Sequence, residues 1–355
     1  MITIMKKISA LFFLLVFFMF GCASKMPDVT PTTDTNKIPI SKISTDYLNA
    51  VNVTNSTIEE IDYNKIAQFD STLPIRDFTY ISQNIDSILS VYYNMKPIKN
   101  TPLEKGNVIQ FNLEIFDKSD NVIHKNTEMK MLFGYGYLGD ELEESLLNTI
   151  PSKPLTFDFN DKLFQMYGLE NAEYVKMNIN GIYNYTEMED TEDFLSQEGY
   201  SSFKDFYDYL FKLKVSEHDF EKFSELRSSF LKYAFDCCKF NIPYEDLRDY
   251  SRKVIDEHRK AAETLNMTLD DYYSDVLVVD QNSFFLMCAE SAEAEIKEGL
   301  LIGALAQFNQ TEIVEDEFTE FCNKNNVNTS DSVLVCEARY FFLKRAVIEQ
   351  YVGSY

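Results

Sequence analysis

Carboxylates, thiols and imidazoles are the side chains of this chain that could do chemistry, and their spacing says what kind. Acidic residues stand side by side at Glu143-Glu144, Asp270-Asp271 and Glu315-Asp316-Glu317. Paired carboxylates can divide acid and base roles. Each of these groups, however, opens a stretch with helical patterning, where negative charge complements the helix dipole and remains solvated. They read as helix starts. Cys237 and Cys238 are adjacent and cannot easily bridge, and with Cys288, Cys322 and Cys336 they give an odd count without a C-x-x-C pair. Buried free thiols are the expectation. His124, His218 and His258 lie far apart in the chain without ligand spacing, so neither a metal nor another cofactor is expected.

The elements that must carry any site are bounded by composition. The chain has 355 residues, with 33 Lys+Arg against 57 Asp+Glu and a formal net charge of -24. Binding a polyanion needs a basic surface, so nucleic acid is not an expected partner. Hydrophobic residues make up 45%, including 22 Tyr and 29 Phe with no Trp, enough for a sizeable core. Only 11 Gly and 9 Pro argue against a turn-rich all-β protein and against Gly-rich ligand loops. At roughly 150 residues per domain, two domains are expected.

Residues 1–21 read as an export signal: Lys6 and Lys7, then an apolar run from Ile8 to Phe20 that is short for a membrane span. Gly21-Cys22-Ala23-Ser24 resembles the lipobox of bacterial lipoproteins, although Met19 and Phe20 depart from its usual residues. That resemblance implies lipid attachment at Cys22; an uncleaved N-terminal anchor is the alternative. Both place the rest of the chain outside the cytoplasmic membrane, lipid-anchored in the first case. Residues 22–76 are expected as a tether and N-terminal segment, because 25–48 are rich in Ser, Thr, Pro, Asp and Lys without an apolar period.

From residue 77 the patterning becomes regular. Ile81, Ile85, Ile88, Leu89 and Tyr92 share a helical face, with Ser82 as the expected N-cap of a linker helix within 77–101. Ile109, Phe111, Leu113 and Ile115 alternate with polar residues as in a half-buried strand, followed by a turn at Lys118 to Asn121. A short helix over 140–148, a strand near 155–159 and a last strand over 173–183 complete an α+β module at 102–187. Residues 188–355 read as amphipathic helices, interrupted at Gly199, at Asn241-Ile242-Pro243 and at Asn309-Gln310-Thr311. In the helix after Pro243, Leu247, Tyr250, Val254 and His258 share the apolar side, and Glu245, Asp246 and Asp249 are assigned to the polar side.

This order resembles trigger factor, which carries an FKBP-type prolyl isomerase domain followed by a helical chaperone domain. The matching segments are Gly106–Ile115, Phe133–Asn148, Gly168–Ile182, Ile242–Tyr273 and Ala292–Phe318. The resemblance implies an α+β fold with an FKBP-like antiparallel sheet and short helix, then a mostly α-helical domain of chaperone arms. It also implies a prolyl pocket walled by Phe111, Leu138, Leu142 and Tyr174. Phe164 or Tyr167 would stand at the position that donates a hydrogen bond, and only Tyr167 can donate. Leu142 replaces the floor aromatic and Asp140-Glu141 replace the Pro-Gly at the helix entry, so half the pocket is altered. The family's ribosome-docking stretch has no counterpart, and a ribosome is not an expected partner. The expected function is a membrane-anchored extracytoplasmic folding factor that binds unfolded or newly exported polypeptides, with prolyl cis-trans isomerase activity if the pocket is retained. The alternative is a catalytically inactive binding or structural lipoprotein that recognises one surface partner. An exposed apolar face on the helical part would favour the first.

Overall fold

The computed structural model describes residues 38–188, 191–325 and 327–353. The signal segment 1–21, Cys22 and the start of the expected tether lie outside them. Residues 38–72 and 225–353 form one compact unit, and 73–224 form a second, inserted between its two parts. The sheet-bearing module thus begins before residue 102 and continues past residue 187. The expected tether gives way to helix α1 (Lys42–Ala50), whose N-cap Ser41 accepts from the Ser44 N–H and whose inward face is Ser44, Tyr47 and Leu48. So few apolar residues on one face leave little periodicity to detect. Strand β1 (Thr57–Ile61) and a single helical turn, α2 (Tyr63–Ile66), follow.

The inserted unit opens with α3 (Phe78–Leu89). Its N-cap is Asp77 rather than Ser82: the Asp77 carboxylate accepts from the Thr79 and Tyr80 N–H groups, and Ser82 is buried one turn inside. The helix stops at Leu89, and β2 (Tyr93–Ile98) begins where helix was expected to continue. Strands β3 (Val108–Phe116) and β4 (Val122–Leu132) form a hairpin, its turn held by the Asp117 carboxylate on the Ser119 and Asn121 N–H groups. Then come α4 (Asp140–Leu146), β5 (Leu155–Asp158), α5 (Asp161–Tyr167) and β6 (Tyr174–Glu187). The antiparallel sheet runs β2-β6-β3-β4, with β5 added at the start of β6. Pro97 is on edge strand β2, where a missing N–H costs nothing. The alternation predicted for β3 holds: Ile109, Phe111, Leu113 and Ile115 are fully buried, with α3 packed behind β4. Helix α6 (Thr191–Glu198) and the first part of α7 (Phe203–Phe235) close the core with Leu195, Phe206, Tyr207 and Leu210.

The last part of α7 returns to the first unit. There β7 (Cys238–Asn241) pairs antiparallel with β1, where the sequence pattern predicts the end of a helix and its break at Asn241. The chain continues as α8 (Tyr244–Thr264), α9 (Gln281–Asn309), α10 (Glu315–Lys324) and α11 (Ser332–Val352). Residues 299–306, GLLIGALA, are all buried, so α9 is the central helix and is apolar on every side over two turns. Helix α1 lies against it, with the Ser41 N–H donating to the Gly303 carbonyl at 2.9 Å.

Asp246, placed on the polar side of α8 from the sequence, is in fact 2% exposed. Its carboxylate accepts from the Asn55 N–H (2.9 Å), the Ser56 N–H (2.7 Å) and the Ser56 hydroxyl (2.7 Å). Burial alone would raise its pKa, but these hydrogen bonds outweigh it and hold the group below the ordinary aspartate value. A carboxylate depressed on folding contributes stability that is complete above about pH 4 and lost as the pH falls through its folded pKa. Asp246→Asn is therefore expected to cost about 2 kcal/mol at neutral pH. In urea titrations the variant and wild-type midpoints should converge as the pH falls below the ordinary aspartate pKa; parallel curves would contradict this.

Candidate functional site

The loop between β4 and α4 positions the residues assigned to a prolyl pocket. Gly134, Gly136 and Gly139 take positive φ there, and the Glu143 carboxylate accepts from the N–H groups of Gly134 (2.7 Å), Gly136 (2.8 Å) and Leu138 (2.8 Å). Glu143 is thus a buried structural anchor, not the solvated helix-start acid expected from its pairing with Glu144. The loop sends Leu138 into the core beside Phe111 and Tyr167, with Leu142 half-buried against them. Tyr174 is not among them. It stacks on Phe116 at 4.8 Å, and its hydroxyl donates to Asp120.

Brought together, these residues do not form an open bowl. Phe111 and Leu138 are 0% and 1% exposed. Phe78 from α3 covers the Tyr167 ring edge-on at 4.9 Å, and the Tyr167 hydroxyl donates to Asn126 Oδ1 at 2.8 Å. Burial pushes that hydroxyl well above the ordinary tyrosine pKa. The donor assigned to a substrate is committed inside the protein. Phe164, the other residue at that position, points outward and has no donor.

A separate cavity of about 340 Å³ lies in the inserted unit, lined by Phe78, Tyr135, Tyr137, Met166, Phe211 and Val215 with several cations. None of the five pocket residues lines it. Its charges are largely satisfied internally: Arg76 makes two 2.7 Å bonds to Asp219, and Asp208 accepts from both Tyr137 and Lys204. Sequence reasoning missed Phe78, Tyr207 and Phe211, because helical aromatics give no sign of which sheet face they will cover.

In the helical unit the observed feature is exposed apolar surface on two hairpins, gathered at the tip of one of them. Helices α8 and α9 pack together and are joined through helical turns over 269–276. At this tip Leu265, Val276, Val278, Phe285 and Leu286 are exposed, Val278 at 78% and Leu286 at 60%, among exposed Asp270, Asp271, Asp275 and Asp280. Val278 has φ 57°, a left-handed conformation that a β-branched residue adopts only under strain. The hairpin of α10 and α11 exposes Val314, Val333, Leu334 and Phe341.

Cys237, Cys288 and Cys322 are buried free thiols as expected, and Cys238 and Cys336 are half-buried. Among the described residues no group of three His, Cys, Asp or Glu could hold a metal ion, and no helix is long and apolar enough to cross a membrane.

No family model matches the chain, and no curated protein matches it significantly. Among solved structures it is similar to a trigger factor chaperone described for promiscuous substrate recognition in folding and assembly activities. The identity is 16% and the TM-score 0.34, over 82% of this chain and 72% of that one. A likeness this loose carries no functional argument, which rests on the residues themselves.

Proposed function

We propose that this protein is an extracytoplasmic, membrane-anchored folding factor that holds unfolded or newly exported polypeptide at the apolar tip of its α8–α9 hairpin. The observation that carries the reading is the cluster Leu265, Val276, Val278, Phe285 and Leu286 on one exposed tip, ringed by carboxylates. Clustered apolar surface with a polar rim favours an interaction site over scattered surface residues. Covering each half-exposed side chain is worth about 1 kcal/mol, so a few together give a complex that forms and releases readily. The anchoring part rests on the lipobox-like Gly21-Cys22 sequence, and lipid labelling abolished by Cys22→Ser is its test.

Prolyl isomerisation is not part of the proposal, because Phe111, Leu138 and Tyr167 are spent on the core. The purified protein should suppress aggregation of an unfolded client without accelerating X-Pro isomerisation. Leu286→Asp with Val278→Asp should reduce suppression severalfold without loss of thermal stability, since both side chains are exposed and Asp tolerates the left-handed backbone at 278 better than Val. Val278→Gly separates holding from folding: relief of the left-handed strain should raise stability by about 1 kcal/mol while holding weakens. Undiminished suppression in both variants would sink the tip as the holding surface, and no suppression at all would favour a single specific partner.

A further inference from the structure

The helical unit offers a second binding feature, built from backbone. In the β1–β7 ladder Ile61 is opposite Cys238, Glu60 opposite Lys239 and Thr57 opposite Asn241. The Asp62 N–H donates to the Cys237 carbonyl at 3.0 Å, which fixes the phase of the pairing. By the alternation of an antiparallel ladder, Lys239 and Asn241 turn their N–H and C=O groups toward β1, and Cys238 and Phe240 turn theirs away. Among the described residues β7 has no second strand partner. Beside it is a cavity of about 710 Å³, walled by β7 itself together with Phe235, Ile242 and Leu247.

We propose that an extended stretch of non-native polypeptide adds a third strand to this edge of β7, with one of its apolar side chains seated in the cavity. The inference rests on the client-binding reading above and specifies the form in which client is bound. Two outward donors and two outward acceptors at strand spacing are matched by another main chain in extended conformation. The new strand would continue an existing ladder, and a two-stranded sheet is marginal by itself. Charge at the cavity is balanced. Lys297 is paired with Glu293 (2.6 Å) and Lys239 with Glu59 (2.8 Å). Exposed Lys232 and Asp236, which also line the cavity, offer one charge of each sign. Selection of the client therefore rests on its backbone and one apolar side chain. Four main-chain bonds and one seated side chain make a weak, releasable complex, as a holding factor requires.

The test is fluorescence anisotropy with a labelled heptapeptide of alternating Val and Thr, on the full-length protein. Phe240→Pro removes an outward N–H without touching the β1 ladder; Phe240→Leu removes the ring and keeps that N–H. Binding is expected to weaken at least fivefold in Phe240→Pro and by a clearly smaller factor in Phe240→Leu, which loses only the ring that lines the cavity. An independent arm, insensitive to any folding defect in the variant, uses wild-type protein with the peptide N-methylated at alternate amides, where a similar loss is expected. Equal binding of methylated and plain peptide would overturn strand addition. So would a concentration-dependent dimer that Phe240→Pro dissolves, which would assign the edge to a second copy of this chain. Aggregation suppression is read on the same samples: if it persists while backbone dependence is absent, only strand addition fails, and if it is absent throughout, the client-binding reading fails with it.

Discussion

Glu143→Ala is expected to lower the stability of the inserted unit by about 3 kcal/mol. Its carboxylate is buried and accepts from three backbone N–H groups, and truncation leaves all three without a partner. The loop cannot turn to water without dragging Leu138 from the core, because the bonded donors at Gly134, Gly136 and Leu138 alternate along it. Glu143→Gln keeps one carbonyl oxygen and should recover about half the loss. Amide exchange at the three donors is the direct measurement, with protection lost in the Ala variant before global unfolding. Unchanged protection would mean that the glycines' own conformation holds the loop.

The second large effect concerns the seam between α1 and α9. A Cβ on Gly303 would lie 2.8 Å from Ser44 Cβ and 2.9 Å from Ile40 Cβ, and neither atom can rotate away. Gly303→Val should therefore cost about 3 kcal/mol and release residues 38–50 from the helical unit. One turn earlier, a Cβ on Gly299 meets the end of the flexible Leu48 side chain at 2.8 Å. Gly299→Ala should be nearly neutral, since the gain in helix propensity, about 1 kcal/mol, offsets a small rotamer shift. Limited proteolysis near residue 40 with denaturant midpoints distinguishes the two; equal losses at both positions would refute the seam as drawn.

Much of the local structure was legible because it follows from periodicity. The alternation at Ile109, Phe111, Leu113 and Ile115 forms a strand, the interruptions at Gly199 and Asn309 to Thr311 separate helices, and Tyr250 and Val254 face inward on α8. The errors share one cause. Asp246 and Glu143 look like solvated helix-start acids because most of their donors are backbone groups, which carry no residue signature. In the case of Asp246 those donors lie some 190 residues away. β7 looks like the end of a helix because a four-residue strand is defined by its partner, and β1 is distant in sequence. Tyr167 was assigned a free hydroxyl because nothing in the sequence placed Asn126 within 2.8 Å of it.

The sequence by itself determined the mixed architecture, the long helices, strand β3 and the turn that follows it, since hydrophobic period and turn chemistry act over a few neighbours. Only the tertiary structure decided that residues 38–72 complete the helical unit, that Phe111, Leu138 and Tyr167 are core, and that apolar side chains stay uncovered at the α8–α9 tip. Those outcomes depend on which surfaces meet across long chain separations, and burial of a side chain is a property of the surface it meets, not of its own residue type.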